Sequence, residues 1–342
     1  MKYLASTSIA LALSVSAAAA EGDLVVFHWF EYMPQELLDK FTAETGINVT
    51  MDTYDSNEAM LASLKAGGMG TYDVAVPGDY MVAIMAGEGL LDTIGDGELA
   101  NKGNIASEWA DPSFDPGRQH SIPYQWGSTA FAVDTDTYSG DINTTDILFN
   151  PPSELKGKIN MLDSQGEVMA MAALHMGIPQ CSTDRERLKA LNDMLMGAKE
   201  NWASFNSDTA KEVLVSGDAA VGMIYDGFSA KARAEKASIT YAFPKQGYVV
   251  WMDNVVLLKD APNRNNAIKF MDFLLEPENI AAVSNYARYG LGVTGAGEFL
   301  DPELASLPEA NPPAEAGAGA FIEVCDEATQ AVYDQIWTNV KK

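Results

Sequence analysis

Two acidic residues, each two positions after a tryptophan, are the side chains in this sequence best suited to bind a ligand. Trp251 and Asp253 lie in the apolar run Gly247–Leu258, and Trp29 and Glu31 follow an apolar run that begins at Leu24. Side chains alternate between the faces of an extended strand, so each pair would point the same way. An indole beside a carboxylate makes a poor core, but it suits an organic cation. That Asp253 simply ends a strand stays open on these residues alone.

An organic diamine would match such pairs. A primary alkylammonium has a pKa near that of lysine, about 10.4, so it arrives charged. Burying it unpaired would cost several kcal/mol, so each ammonium needs an oxygen partner. The methylenes between favour flat apolar walls, at roughly 0.8 kcal/mol per CH₂ buried. Two carboxylates at opposite ends of an aromatic slot would therefore select a diamine by its length.

The elements that would position these side chains alternate along the chain. The strand from Leu24 is followed by a helix that Pro34 opens and Gly46 closes, and further strands and helices continue the pattern. This alternation predicts an α/β fold, in which ligands bind beyond the carboxyl ends of strands. The candidates that fall at such ends are Trp29, Glu31, Tyr32 and Tyr80.

The first twenty residues have the features of a secretory signal. Lys2 supplies the positive charge, an apolar run covers residues 9–13, and Ala18–Ala20 provides small residues for cleavage near Ala20. The apolar run is too short to span a bilayer, and no later stretch is long enough. We therefore expect an exported chain without direct membrane insertion.

Charge and cysteine content narrow the classes of partner. The chain has 342 residues, of which 22 are basic and 48 acidic, giving a formal net charge of −26. Such a balance disfavours nucleic acid as a partner. Cys181 and Cys325 are too few for a disulfide framework or a zinc site. Export permits a single bridge between them, which their spacing neither supports nor excludes.

Nine motifs in register resemble those of the periplasmic spermidine/putrescine-binding proteins, and together they extend over nearly the whole mature chain. They are Trp29-x-Glu31-Tyr32, Phe41-x-x-Glu44-Thr45-Gly46-Ile47-x-Val49, Ser56-Asn57-Glu58, Tyr72-Asp73-x-x-Val76-Pro77, Ser121-Ile122-Pro123-Tyr124-x-Trp126-Gly127, Phe205-Asn206-Ser207-Asp208, Gly222-Met223-Ile224, Trp251-Met252-Asp253 and Phe273-Leu274-Leu275-x-Pro277.

The resemblance implies a two-lobed, type II periplasmic binding protein fold, each lobe a mixed sheet flanked by helices, with the ligand in the cleft between lobes. Residues 1–20 would be the signal peptide. Residues 21–129 and 252–297 would form the first lobe, and residues 130–251 and 298–342 the second. The implied function is a monomeric periplasmic receptor that binds a polyamine, putrescine or spermidine, and delivers it to an ABC-type membrane permease.

The resemblance also implies ten ligand-binding positions: Trp29, Glu31, Tyr32, Tyr80, Glu167, Tyr225, Trp251, Asp253, Tyr289 and Glu323. Tyr225 stands where a Trp is usual, and Glu323 where some members have Gln. Asp253 and Glu167, from different lobes, would neutralise the two ends of the ligand, and Glu323 a middle or distal amine. Glu31 lies in one of the family's motifs, but like Asp79 and Asp226 it is of a kind more often found as a solvated acid in a turn.

Nothing in the sequence indicates an enzyme. The three histidines, His28, His120 and His175, are scattered and lack metal-ligand spacing. We therefore expect no catalytic residues, no metal and no cofactor. Two alternatives remain: a receptor for another organic cation, such as a quaternary amine or a guanidino compound, and a secreted hydrolase.

Overall fold

A computed structural model describes residues 23–342. The predicted signal peptide lies outside the described residues. Within them, no helix combines the length and apolar character needed to cross a membrane.

Strands and helices alternate along most of the described chain. The strands are β1 Leu24–Trp29, β2 Val49–Tyr54, β3 Val74–Ala75, β4 Ser121–Asp134, β5 Ile159–Met161, β6 Trp202–Phe205, β7 Val221–Tyr225, β8 Ile239–Ala242, β9 Tyr248–Leu257, β10 Gly290–Leu291 and β11 Gly319–Ala320.

The α-helices are α1 Gln35–Thr45, α2 Asn57–Ser63, α3 Asp79–Gly87, α4 Asp146–Phe149, α5 Gln165–Met176, α6 Arg185–Ala198, α7 Ala210–Ser216, α8 Asp226–Glu235, α9 Arg264–Leu274, α10 Pro277–Ala287 and α11 Glu327–Lys341. A π-helical turn, Leu64–Gly68, continues α2. Short 3₁₀ turns occupy Lys102–Asn104, Ser107–Trp109, Ser153–Leu155, Lys199–Asn201, Ala296–Phe299, Leu304–Ser306 and Pro308–Ala310.

Two sets of parallel strands flank a central antiparallel pair. The strand order is β2-β1-β3-β9-β4-β7-β5-β6; β8 and β10 also pair with β4, and β11 pairs with β9. β1 runs parallel to β2 and β3, and β5 runs parallel to β6 and β7. The long strands β4 and β9 pair with each other antiparallel and connect the two sets. Their register shifts between Pro123 and Trp126.

The buried apolar residues form separate cores on the two sides of this central pair. The second core, on the β5 side, takes its residues from 130–249 and from α11. On the β1 side, two adjoining clusters draw on residues 24–124 and 251–296, and we call them the first core. Since β4 and β9 supply residues to both sides, they carry the chain from one core to the other.

Two local predictions need correction. The alternative that Asp253 ends a strand is wrong, because β9 continues through Asp253 and Asn254 and both side chains are buried within it. The spacing of Ala328, Val332, Ile336 and Val340 predicts an inner face of α11 through these four residues. Ile336 and Val340 are buried as predicted, but Thr329 and Tyr333 are buried in place of Ala328 and Val332, and Val332 is 38% exposed.

Candidate functional site

A cleft between the two cores collects most of the predicted ligand-binding residues. It contains about 700 Å³ of space, counting its open mouth. Its lining comes from the carboxyl ends of parallel strands on both sides and from the middle of β9, the arrangement expected for ligand sites in open α/β sheets. The lining residues are Trp29, Phe30, Tyr32, Asp55, Asn57, Gly78, Asp79, Tyr80, Ser164, Glu167, Ser207, Asp208, Tyr225, Phe228, Trp251, Asp253, Tyr289 and Ile322.

Aromatic rings from both sides of the molecule form a continuous wall. Trp251 contacts Tyr289 edge-on, with ring centroids 5.0 Å apart, and contacts Tyr225 at 6.0 Å. Tyr289 in turn contacts Tyr32 at 5.4 Å. Such edge-to-face contacts hold the rings in fixed orientations. The wall therefore offers rigid apolar surface for an aliphatic chain and ring faces for a cation.

The position of Trp251 depends on a glycine in the neighbouring strand. Gly127 of β4 pairs with Trp251, and a Cβ at Gly127 would lie 2.7 Å from both the Trp251 ring and Oδ1 of Asp226. The indole Nε1 donates a hydrogen bond to Oγ1 of Thr129 at 3.1 Å. Trp251 is thereby locked over the point where β4 and β9 pass between the cores.

Asp253 is a buried carboxyl group within the cleft. Its backbone forms an isolated bridge with Gly78, and the N–H of Asn254 donates to the carbonyl of Pro77 at 2.9 Å. Burial raises the pKa of Asp253 well above its ordinary value, and the charge of Asp79 adds to the effect, whereas the nearby hydroxyl of Tyr32 opposes it. Burial thus disfavours the ionised form of Asp253, and a cation beside it would favour that form.

Glu167 supplies a second buried carboxyl group from the opposite side of the cleft. It lies in the first turn of α5, where the helix dipole favours a negative charge. Burial outweighs the effect of the helix dipole and raises the pKa of Glu167 to about 8. The negative charges of Asp79 and Asp253 raise it further, whereas a hydrogen bond with the side chain of Thr129 lowers it. Its Oε2 atom is buried without a hydrogen-bond partner. An acceptor left unpaired in this way suits an ammonium donor.

Asp79 and Asp226 are buried, so the expectation of solvated turn acids is wrong. Burial raises the pKa of Asp79 to about 6, although the backbone N–H groups of Met252 and Tyr80 stabilise its charge. Asp226 does not line the cleft. It accepts hydrogen bonds from the backbone and hydroxyl of Ser128, and burial raises its pKa to about 7. Both side chains brace loops and strands beside the site.

Glu31 and Glu323 do not line the cleft. The prediction that Trp29 and Glu31 share a strand face is wrong, because β1 ends at Trp29 and Glu31 is an exposed turn residue with φ 48°. Glu323 is exposed and lines a separate cavity. The other eight predicted residues lie together in the cleft.

Several residues that line the cleft were not predicted from the sequence as ligand-binding candidates. They are Phe30, Asp55, Asn57, Ser164, Ser207, Asp208, Phe228 and Ile322. Asp55 and Asp208 come from opposite sides, and burial together with the charge of Asp55 raises the pKa of Asp208. Asp208 sits in the quoted motif Phe205–Asp208 and follows the end of β6, a signal that could have identified it.

A disulfide joins Cys181 to Cys325 and so decides the question that spacing left open. It anchors the segment that carries Ile322 into the cleft. The side chain of Gln180 holds the same segment, donating to the carbonyl of Phe321 at 2.9 Å and accepting from the N–H of Glu323 at 3.1 Å.

Acids are the charged side chains that line the cleft in the described chain. Five acids line it, namely Asp55, Asp79, Glu167, Asp208 and Asp253, and among the described residues no Lys, Arg or His does. In the described part of the chain, no three His, Cys, Asp or Glu side chains are grouped to hold a metal ion. The arrangement can bind an elongated organic cation whose charges pair with carboxylates and whose carbon chain lies against aromatic rings.

Comparison with known proteins places the chain among bacterial transport receptors. Residues 36–326 match a family described as bacterial extracellular solute-binding protein. The spermidine/putrescine-binding periplasmic protein of Escherichia coli is 33% identical over 339 residues, covering 99% of this chain and 97% of that protein. The putrescine/cadaverine-binding protein of Pseudomonas aeruginosa is 29% identical over 353 residues, covering 100% and 99%.

Solved structures agree with this placement. A putative spermidine/putrescine ABC transporter protein from Listeria monocytogenes has a TM-score of 0.86 and 30% identity, covering 93% of this chain and 98% of that chain. The spermidine/putrescine ABC transporter substrate-binding protein from Streptococcus pneumoniae has a TM-score of 0.74 and 29% identity, covering 94% and 98%. The two-lobed periplasmic binding protein fold expected from the sequence is confirmed.

Proposed function

This chain belongs to the bacterial extracellular solute-binding protein family, and from that premise we propose that it binds a polyamine such as putrescine or spermidine in the periplasm. The observation that carries the proposal is a cleft with five acids, no basic residue among the described lining, and a wall of aromatic rings. Its relatives in Escherichia coli and Pseudomonas aeruginosa are named for such ligands.

Asp253 and Glu167 are the acids that we assign to the two ends of the ligand. Both are buried, and they come from opposite sides of the cleft. An ammonium beside each would be desolvated together with its partner, which strengthens the attraction between them. Trp29, Tyr32, Tyr80, Tyr225, Trp251 and Tyr289 would enclose the methylenes, each ring adding about 0.5–2 kcal/mol where it faces a charge.

We assign residues 21–129 and 252–297 to the first lobe and residues 130–251 and 298–342 to the second. The two hydrophobic cores support this division, since all of their buried residues except Trp251, which packs in the first core, fall in the set assigned to the same side. Closure of the lobes about β4 and β9 would seal the ligand in the cleft. The closed, monomeric receptor would then present the polyamine to an ABC-type permease, without catalysing a reaction.

Calorimetric titration of the purified mature protein tests this proposal. The panel is putrescine, cadaverine, spermidine and spermine, with agmatine and choline representing guanidino and quaternary cations. We expect at least one polyamine to bind about tenfold or more tightly than agmatine or choline, a difference of about 1.4 kcal/mol. Binding of none of the polyamines, or a preference for choline or agmatine, would overturn the assignment.

A further inference from the structure

The two long strands β4 and β9 pair irregularly at Asp253. The register shifts between Pro123 and Trp126 of β4, so two residues, Tyr124 and Gln125, stand opposite the single residue Asp253. Such a β-bulge disrupts the ladder locally, redirects side chains and is frequent beside functional sites. The backbone around Asp253 therefore depends on hydrogen bonds from outside the β4–β9 ladder.

Three such hydrogen bonds hold the backbone next to Asp253. The N–H of Met252 donates to the carboxylate of Asp79 at 2.8 Å, and the N–H of Asn254 donates to the carbonyl of Pro77 at 2.9 Å. The side chain of Asn254 provides the third, with Nδ2 donating to the carbonyl of Met252 at 2.8 Å. The Asn254 amide thus spans Asp253 and limits how the peptide groups on either side of it can turn.

A buried arginine orients the Asn254 amide. Nη1 of Arg118 donates to Oδ1 of Asn254 at 2.6 Å and to Oγ of Ser121 at 2.9 Å, and Nε donates to the carbonyl of Trp109 at 2.8 Å. Both Arg118 and Asn254 are buried. A guanidinium carries donors and no acceptor, so the amide oxygen of Asn254 must face Arg118. The NH₂ group of Asn254 is then directed at the Met252 carbonyl.

The loop that carries Arg118 is itself fixed by a buried acid. Asp115 accepts hydrogen bonds from the backbone N–H groups of Gln119 and His120, both at 3.1 Å, and from the hydroxyl of Ser121 at 2.7 Å. Arg118 has φ 51°, in the left-handed region that residues other than glycine seldom adopt. Such a conformation persists where the surrounding contacts fix it. The guanidinium is therefore held in one place beside β9.

Neither Arg118 nor Asn254 lines the cleft. Burial lowers the pKa of Arg118 to about 10, so its guanidinium is charged at neutral pH. Taking a charge out of water is costly, and an apolar side chain could fill the same space without that cost. What Arg118 provides beyond packing is a set of fixed donors, one of which reaches toward the cleft through Asn254.

We infer that Arg118 is a positioning residue for ligand binding: through Asn254 it fixes the backbone of β9 at Asp253, and with it the direction of the Asp253 carboxyl group. The inference rests on the proposed function, since it takes Asp253 as one of the two acids that pair with the ligand. Binding sites need such groups held to within about 0.5 Å, which hydrogen bonds and packing behind them provide.

A double-mutant cycle on the full mature chain tests this inference. Arg118→Met and Asp253→Asn are made singly and together, and putrescine and spermidine are titrated by calorimetry up to millimolar concentration. Arg118→Met should weaken polyamine binding by about tenfold when Asp253 is present. In the Asp253→Asn background it should weaken binding by less than about twofold, because the residue through which it acts is already changed.

Two further variants separate positioning from general damage to the fold. Arg118→Lys keeps the charge and a donor for Asn254, and should recover most of the lost affinity. Arg264→Met is the matched control, because it removes an arginine of the same lobe that pairs with Asp92 and Glu98, neither of which lines the cleft. It should leave polyamine affinity unchanged.

Equal losses from Arg118→Met in both backgrounds would overturn the inference, since a weakened fold acts regardless of the side chain at position 253. That result would leave polyamine binding by the wild type, and hence the proposed function, intact. A wild type that binds no polyamine would refute the proposed function instead. If Arg118→Met does not fold, Asn254→Ala removes the same link and passes through the same cycle with the same two outcomes.

Discussion

The carboxylate of Asp79 accepts a hydrogen bond from the backbone N–H of Met252, with 2.8 Å between Oδ2 and N. This bond ties the first residue of α3 to β9 between Trp251 and Asp253. This hydrogen bond thus holds Trp251, which belongs to the aromatic wall, and Asp253, a candidate partner for a ligand charge, in fixed positions relative to α3. The negative charge of Asp79 also raises the pKa of Asp253. A bound cation would oppose this rise, because it favours the ionised form of Asp253.

Asp253→Asn should lower polyamine affinity by at least about tenfold, because it removes one partner of a buried charge pair. Stability of the empty protein should change little, since burial disfavours the ionised form of Asp253 and Asn has nearly the same shape as the acid. Calorimetric titration measures the affinity, and thermal unfolding measures the stability. Asp193→Asn, an exposed position on α6, is the control. Unchanged affinity in Asp253→Asn would remove this residue from the site.

Polyamine affinity should rise with pH up to about 8. The pKa of Glu167 is raised to about 8, so in the empty receptor roughly a tenth of this group is ionised at pH 7. The ligand requires the ionised form, so binding releases a proton. Titrations across this range should show affinity increasing toward pH 8, and Glu167→Gln should reduce the slope. An equal slope in the variant would show that Glu167 is not the group being deprotonated.

The contribution of Glu167 to the stability of the empty receptor should fall as pH rises, whereas polyamine affinity should rise. The folded-state pKa of Glu167 exceeds its ordinary value of 4.5, so the folded state holds this proton more tightly than the unfolded state. Its contribution is fully present below about pH 4.5 and is lost as pH rises through about 8. The difference in unfolding free energy between wild type and Glu167→Gln should therefore shift in favour of the variant over that window. A pH-independent difference would contradict the raised pKa.

Loss of the disulfide should weaken both stability and ligand binding. A disulfide typically contributes about 2–4 kcal/mol to stability. Here its loss also releases the segment that carries Ile322 into the cleft. The double variant Cys181→Ser, Cys325→Ser should unfold at lower temperature and bind polyamines less tightly. Reductant should reproduce both effects in the wild type and add nothing in the double variant; unchanged affinity would show that Gln180 suffices to hold the segment.

Gly127→Ala should reduce affinity by roughly tenfold, because the new methyl group would displace the Trp251 ring or the Asp226 carboxyl group. Overpacking of this kind costs typically about 1–3 kcal/mol. Gly87→Ala in α3 is the matched control, since its Cβ meets no atom within 4 Å. Calorimetry and tryptophan fluorescence should separate the two variants. Equal affinities and equal fluorescence in the two variants would mean that the site tolerates a displaced Trp251 ring.

Sequence patterns predicted much of the secondary structure correctly. The helix opened by Pro34 is α1, its inner residues Leu37, Leu38 and Phe41 are buried, and Gly46 ends it in the left-handed region. Patterns failed where neighbours in space decided the outcome. The strand through Asp253 continues because β4 and the Pro77–Gly78 segment satisfy its backbone. Glu31 leaves the strand face because the chain turns directly after Trp29.

The sequence by itself determined the alternation of strands and helices, the acidic balance and the Trp251/Asp253 pair, because these follow from residue types and from the two-residue repeat of a strand. Only the tertiary structure decided which acids are buried together, since burial and charge depend on contacts between residues far apart in the chain. It brought Asp253, Glu167 and Asp79 into one cleft and placed Glu323 outside it. It also joined Cys181 to Cys325, a pairing that spacing could not predict.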